Sequence, residues 1–420
     1  MIDNNIRNNT DAILKEFSLE IDGIDYKKAI TMDVAYCYAI GRGEQYSFHR
    51  YAARLFYPLQ ENRFFEVFNE TKILFTSWVN RRDYVELIDS IRSGLNKSSY
   101  SSINTLFSRK FTLPKKYYVD IFLAAFKCRT NIRNKFFIAF RLLDYVTIAK
   151  TLMKSPFYNI LGEDYKYIPF NSSFGVENVI TQLLNKHGCN TFHLCHGLHF
   201  SPNYRFFSID AFNKELISAK TVLSWGQGFV DNDNRLYNHN YHHEVVGNPK
   251  YPYKKINIHY STDKCVVLLA RGQYDENNYK LLKLLGEYQR KYKTVFFIKP
   301  HPTDNLSNIV ELAKILNLRV INNQKTVKEI LSSGEYGFAI SYETTSYFEA
   351  MYYNLICFRY AYEENESYGD FDNRFSSCEE LKAQVDKYKN MCLENLNRKI
   401  EEALIYEIGM GIYRYPEVIK

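Results

Sequence analysis

Val266-Val267-Leu268-Leu269-Ala270 and Thr294-Val295-Phe296-Phe297-Ile298-Lys299-Pro300-His301-Pro302 are two short apolar runs, each closed abruptly by polar or turn-forming residues. Runs of this length without alternation read as strands buried on both faces, the habit of parallel sheets covered by helices. Between them Leu281, Leu282, Leu284, Leu285 and Tyr288 recur at helical spacing. The pattern continues: a helix over 309–316, a strand at Arg319-Val320-Ile321, and a helix over 326–331. Gly337-Phe338-Ala339-Ile340-Ser341 is the next strand, followed by a helix over 346–353 and by Leu355-Ile356-Cys357-Phe358. Strands alternating with helices over short loops predict right-handed βαβ units, and residues 258–395 read as one α/β domain on a parallel sheet.

Upstream the pattern is looser. Residues 72–76 read as a strand, 83–91 as a helix and 134–155 as a long amphipathic helix. Tyr158-Asn159-Ile160-Leu161 reads as a strand with a helix over 175–186 behind it. The strands Thr191-Phe192-His193-Leu194, Thr221-Val222-Leu223-Ser224-Trp225 and Glu244-Val245-Val246 follow. A second Rossmann-like domain over 1–250, with a helical N-terminal elaboration, is the expectation. The turn-rich stretch from Gly247-Asn248-Pro249 to about Thr262 is the expected hinge. The segment 396–420 is expected to be helical and to pack back on the first domain.

A chain of 420 residues with 46% hydrophobic and 24% charged residues has material for two ordinary domains,. No stretch approaches the roughly 20 apolar residues of a membrane span. The polar, Asn-rich start carries no secretory signal, and the eight cysteines form no C-x-x-C pair. A cytoplasmic protein is therefore expected. The net charge of +7 is modest for this length. It argues against a nucleic-acid partner and suits phosphate-bearing ligands or an anionic membrane surface. Arg81, Arg82, Lys115, Lys116, Tyr117 and Tyr118 read as a surface that binds glycan, rests on the inner membrane, or is simply solvated.

Ligands of such sheets bind beyond the carboxyl ends of the strands, and the polar residues there are the candidates. Lys299-Pro300-His301-Pro302 leaves its strand directly. The two prolines stiffen the turn, so that His301 is aimed from a rigid mount toward phosphate or a developing charge. A proline-rich turn with an incidental histidine is the plainer alternative. In the strand-to-helix turn Ser341-Tyr342-Glu343-Thr344-Thr345-Ser346, hydroxyls and free N–H groups cap a helix and form an anion site. Glu349, one turn on, accepts from ribose hydroxyls or is a solvated residue. Arg271, at the end of the first strand of its domain, neutralises a diphosphate without metal or is a surface arginine.

On the first domain, His196-Gly197 ends a strand, where the glycine permits close approach and the histidine is a candidate base. Glu163 and Asp164, after the strand expected at 158–161, are a second candidate base or a solvated loop. Asp231-Asn232-Asp233 matches a D-x-D pattern but sits in an Asn- and Asp-rich run, which reads as solvated loop. The spacing of His193, His196 and His199 suits neither one strand face nor a recurring zinc pattern. No metal and no cofactor is expected.

Taken in order, the His-Gly strand end, the Val246-Gly247-Asn248-Pro249 junction, Lys299-Pro300-His301-Pro302 and the Ser/Thr-rich turn resemble one group of proteins. These are bacterial glycosyltransferases of the GT-B fold that build capsules, lipopolysaccharide and teichoic acids, in particular those with a His-Pro motif. The group takes in sialyl- and polysialyltransferases, Kdo transferases and CDP-glycerol glycerophosphotransferases. The resemblance covers residues 158–360. It implies two Rossmann-like domains facing a cleft, with His301 and the Ser341–Ser346 turn holding the phosphate of a nucleotide-sugar donor, CMP-sugar favoured. It also implies a base at His196 for a glycan acceptor. The sialyltransferases use an acidic pair followed by glycine, whereas here Glu163-Asp164 is followed by Tyr165. The glycerophosphotransferases usually carry Asp in the Ser/Thr turn, whereas here it holds Glu343. A CDP-polyol phosphotransferase, a nucleotide-sugar epimerase and a non-catalytic polysaccharide-assembly protein stay open as alternatives.

Overall fold

The computed structural model describes residues 3–39, 52–78, 81–195, 197, 212–270, 275–301, 306–322, 324–342, 344–361, 373–389 and 391–420. They fall into two compact units. One holds the described residues up to Lys250 together with Tyr413–Lys420, and the other runs from Tyr251 to Ile412.

The first unit is built on a six-stranded sheet. Its strands in chain order are β1 (Ile73–Ser77), β2 (Ser98–Ser102), β3 (Lys166–Pro169), β4 (Asn190–Leu194), β5 (Thr221–Ser224) and β6 (His242–Val245). They lie in the order β6-β5-β4-β3-β1-β2, every pair parallel. Helix α1 (Lys116–Lys127) packs on α2 (Ile132–Met153), and α2 is buried over nearly all of its length from Ile138 to Leu152. Asn131 caps α2, its side chain accepting from the Asn134 N–H at 2.9 Å,. Inside this apolar helix, buried Asp144 is held by Arg54 and Arg109, each at 3.1 Å, and accepts the Leu59 N–H at 2.9 Å. A buried charge is tolerated when it is paired in this way. The helices Asp3–Ile13 and Tyr26–Ala39 form the N-terminal elaboration, and Asp33 ties the second of them to Arg141 of α2 at 2.7 Å.

The second unit carries β7 (Lys264–Leu268), β8 (Val295–Lys299), β9 (Arg319–Val320), β10 (Phe338–Ser341), β11 (Cys357–Tyr360) and β12 (Arg374–Phe375). Their order is β9-β8-β7-β10-β11-β12, all parallel. This is the doubly wound order of dinucleotide-binding sheets, with the reversal between β7 and β10. The continuous apolar runs of the sequence are these strands, and every residue of β10 and β11 is buried.

Three expectations are corrected. Tyr158-Asn159-Ile160-Leu161 is not a strand: Pro156–Ile160 forms a 3-10 turn with proline in its first turn, and the strand is Lys166–Pro169. Proline pre-sets the helical φ, so an apolar run that opens on Ser-Pro starts a turn of helix. Asp231-Asn232-Asp233 is not a solvated loop but lies on α4 (Gln227–Leu236), with Asp233 buried. The long C-terminal helix α5 (Leu393–Ile408) stays with the second unit, so only Tyr413–Lys420 of the 396–420 segment lies with the first. Gly409 at φ 65° ends α5, its N–H bonding to the Ile405 carbonyl at 3.1 Å,. Tyr415 then donates to the Gly247 carbonyl at 2.9 Å.

Candidate functional site

Doubly wound sheets open toward ligand where the strand order reverses, beyond the carboxyl ends. In the second unit that point lies between β7 and β10. Leu268 of β7 is in register with Lys299 of β8 on one side and with Ser341 of β10 on the other, and Ser341 is in register with Arg359 of β11. Partners in register across a parallel sheet present their side chains on the same face. Lys299, Ser341 and Arg359 thus form one row across the carboxyl edge, and all three are buried.

The Ser341 hydroxyl is buried without a properly aligned hydrogen-bond partner. The Cys357 thiol is near enough to feel it, and a thiol is a weak hydrogen-bonding partner. The helix Asp275–Tyr292 contributes Asn278, fully buried, whose Nδ2 donates to the Ala270 carbonyl at 2.9 Å while its Oδ1 has no hydrogen-bond partner. Asn277 donates to the Tyr342 hydroxyl at 2.6 Å. Two unmatched polar atoms therefore lie at the two strand ends that flank the reversal.

The turn after β10 leads into the short helix Ser346–Tyr352. Thr345 stands at the N-cap without a side-chain cap; instead Thr344 Oγ1 accepts the Ser346 N–H at 3.3 Å and donates to Ser346 Oγ at 3.2 Å. Glu349, half-buried in that helix, donates its N–H to the Thr345 carbonyl at 3.3 Å. Burial first, and then the charge of Glu349, push the Tyr251 phenol well above its ordinary range. His301, two residues beyond β8, is half-buried. Arg271, Pro302 and His196 lie outside the described residues. The structure thus groups Lys299 and Ser341 in one row, with Thr344, Thr345 and Ser346 following Ser341 in the chain. Sequence reasoning missed Arg359 and Asn278. An arginine inside the apolar run Ile356-Cys357-Phe358-Arg359-Tyr360 was the available signal.

In the first unit the order reverses between β1 and β3, and the ends of those strands hold a buried polar cluster. Glu177, in the first turn of α3 (Gly175–Lys186), accepts from Thr76 Oγ1 at 2.8 Å and from the Phe170 N–H at 3.3 Å. Thr76 also meets the Tyr167 hydroxyl at 2.9 Å. Burial outweighs the hydrogen bonds from Thr76 and from the Phe170 and Asn171 backbone and pushes the Glu177 carboxyl up to about 8,. His193 of β4 is buried, and its Nδ1 accepts the Ser172 N–H at 3.3 Å with Ser172 Oγ at 3.0 Å. A ring that accepts at Nδ1 in this way carries its proton on Nε2.

Glu163 and Asp164 are not at this edge. They precede β3, at the amino end of the sheet; the Glu163 carbonyl accepts from Asn190 Nδ2 at 2.9 Å, and exposed Asp164 pairs with Lys72 at 3.4 Å. The misplaced strand of the sequence reading is the reason.

Asp233, His239 and His243 bring one carboxylate and two imidazoles within 4.8 Å of one another. Nδ1 of His239 and Nε2 of His243 are buried without hydrogen-bond partners. The Lys214 ammonium already sits on Asp233, at 3.2 Å from Oδ1 and 3.3 Å from Oδ2, and Tyr241 donates to Oδ2 at 3.0 Å. A cation is thus in place, supplied by the chain itself.

No protein-family model matches the sequence, and no curated protein does. Among solved structures, an alpha,alpha-trehalose-phosphate synthase (UDP-forming) from Burkholderia vietnamiensis aligns at 8% identity over 82% of this chain and 98% of that one, with a TM-score of 0.47. TarM from S. aureus, in complex with Fondaparinux, alpha-GlcNAc-glycerol and UDP, aligns at 13% identity over 63% of this chain and 56% of its own, with a TM-score of 0.41. The GtfA/B complex aligns at 9% identity over 65% and 58%, also with a TM-score of 0.41. The chain thus spans little more than half the length of the last two. Likenesses this distant carry neither residue correspondences nor an activity to this chain. Among the described residues no helix is long and apolar enough to cross a membrane.

Proposed function

We propose that this chain is a glycosyltransferase that moves a sugar from a nucleotide-activated donor, a CMP-sugar, to a growing bacterial capsule or lipopolysaccharide glycan. The observation that carries the reading is the row Lys299–Leu268–Ser341–Arg359 at the reversal point of the second sheet, with the unmatched hydroxyl of Ser341 in it. A phosphate there finds cationic and hydroxyl partners without a bound metal. Lys299, His301, the Ser341–Ser346 turn and Arg271 hold the donor phosphate in this proposal, and Pro302 keeps His301 in place. Glu349 is assigned to the donor ribose. His196 takes the proton of the attacking acceptor hydroxyl as that oxygen displaces the nucleotide. Glu163 and Asp164 have no part in it, because they stand at the opposite edge of the first sheet.

The test is a thermal-shift series of the purified protein with CMP, CDP, UDP, GDP and dTDP. A ligand at 100 times its dissociation constant adds about 2.7 kcal/mol to the native state, which the method resolves. Selective stabilisation by CMP is expected, with the shift lost in His301→Ala and retained in His196→Ala, whose defect lies in turnover. Stabilisation by CDP alone would replace the sugar donor with a polyol phosphate. No response to any nucleotide would end the transferase reading.

A further inference from the structure

We propose that the outer face of α1, with the segments on either side of it, docks on an anionic lipid surface. Val119, Leu123 and Phe126 are 62%, 60% and 40% exposed. At spacings of four and three they form a single stripe along the helix. The opposite face, with Tyr118, Ile121, Ala124 and Ala125, is buried. α1 is therefore apolar on both sides, although only one of them meets the core. A surface helix with a single apolar face needs no partner beyond its own core; this one has a second face left over. The stripe is extended at both ends, by Leu113, 65% exposed, ahead of the helix and by Ile132, 57% exposed, behind it.

Charge says what covers it. Residues 109–135 contain eight Lys or Arg and one acid, Asp120, so this segment has a formal charge of +7. The whole chain also has +7, so the rest of it is neutral in sum. Arg109 pairs with Asp144 and Arg129 with Glu16, Lys110 and Lys135 donate to the Glu61 and Phe126 carbonyls, and Arg133 is engaged as well. Lys110, Lys115, Lys116 and Lys127 are exposed and bracket the stripe. An apolar stripe between lysines, on a helix too short and too charged to cross a bilayer, has the pattern of elements that lie in the headgroup region. An acidic protein partner would match the charge but would leave the aliphatic stripe unexplained. A lipid surface meets both, with headgroup phosphates for the lysines and the acyl boundary for Leu123 and Phe126.

The experiment is co-sedimentation of the full chain with vesicles of phosphatidylcholine alone and of equimolar phosphatidylcholine and phosphatidylglycerol. Binding to the anionic vesicles only, weakening with added salt, is expected. The triple variant Lys115→Gln, Lys116→Gln, Lys127→Gln should lower the partition coefficient roughly a hundredfold, as three surface cations imply. The variant Val119→Ser, Leu123→Ser should lower it at least tenfold with an unchanged thermal midpoint, since both side chains are about 60% exposed, whereas Phe126 also packs on the Phe122 and Phe136 rings and is left in place. Equal binding to both vesicles, no binding to either, or binding indifferent to the lysine variant would each overturn the proposal. Sedimentation velocity gives a further way to fail: a dimer that the serine variant dissociates would show that a second copy covers the stripe.

Discussion

Lys299 and Ser341 are both in register with Leu268, one on each side of it, so their side chains leave the second sheet on the same face. Two strand spacings separate them, about 10 Å between backbones, and the order of the sheet reverses between β7 and β10. Lysine is long and flexible and can span part of that distance, and Lys299 is already engaged within the fold. Ser341 does the opposite: it is short, fixed and without a hydrogen bond of its own.

This contrast makes Ser341→Ala an informative change. Removing a hydroxyl that has no partner in the fold breaks nothing there, so the thermal midpoint of the free protein should stay within a degree or two or rise. If the hydroxyl bonds donor phosphate, affinity for the stabilising nucleotide should fall roughly 10- to 150-fold, the worth of one hydrogen bond to a charged group at about 1.5–3 kcal/mol. Calorimetric titration of both proteins with that nucleotide decides it. Equal affinities would remove Ser341 from the donor site.

Glu177 gives stability a pH dependence of definite sign. Its carboxyl is raised to about 8 in the folded chain, mainly by burial, against about 4.3 when unfolded. Between those values the folded state holds a proton that the unfolded state has released, so stability falls as pH rises. The full effect is on the order of 4–5 kcal/mol at about 1.4 kcal/mol per pH unit. Glu177→Gln, which stays neutral, should flatten the fall between pH 5 and pH 8. Urea unfolding at those two pH values measures it; identical slopes for the two proteins would show that Glu177 is ionised in the fold.

Much of this fold is legible in the sequence because its strands are continuous apolar runs. Val266–Ala270, Thr294–Ile298 and Phe338–Ser341 have no alternation to mislead, and a polar residue, Arg271, Lys299 or Ser341, closes each and marks the carboxyl edge. Where the run was short or the local chemistry ambiguous, the reading failed. Tyr158–Leu161 is apolar enough for a strand, but Pro156 had already committed the chain to a 3-10 turn. The true strand, Lys166–Pro169, has only three buried residues. That single error carried Glu163 and Asp164 to the wrong end of the sheet. Asp233 shows a different limit. A run rich in Asn and Asp looks solvated, and only tertiary structure brings Lys214 to it. Arg359 was hidden by its neighbours, since a strand that apolar draws no attention to the one cation within it.

Gly337, at the entry to β10, should tolerate no side chain. A Cβ there would stand 2.1 Å from the Ser261 carbonyl oxygen and 2.6 Å from its carbon. These are backbone atoms, tied to Gly337 by the Ser261 N–H to Gly337 carbonyl contact at 3.4 Å, so they cannot rotate away. Gly337→Ala should cost roughly 3 kcal/mol or more by forcing the backbones apart. A change under about 1 kcal/mol in chemical unfolding would mean that the two segments are not in contact.

The Lys214–Asp233 pair can be tested on both energy and titration. Both side chains are almost fully buried, at 6% and 3% exposure. Removing one partner strands the other charge away from water, at a cost of about 3–5 kcal/mol. Lys214→Met and Asp233→Asn should each destabilise by that order. The double variant should lose markedly less than the two singles combined, because neither charge is left behind. His243 reports from the same cluster. Its pKa is held down to about 4, mainly by burial, with Asp233 raising it and Lys214 lowering it. A depressed folded pKa means that stability present above about 6.5 is lost as pH falls toward 4,. Lys214→Met should move the His243 titration upward and Asp233→Asn should move it downward, read from its ring protons by NMR. Opposite shifts together with a non-additive unfolding cycle would establish the ammonium as the resident cation of the cluster. A cycle that is additive within about 0.5 kcal/mol, with an unmoved titration, would show that Lys214 is not seated there.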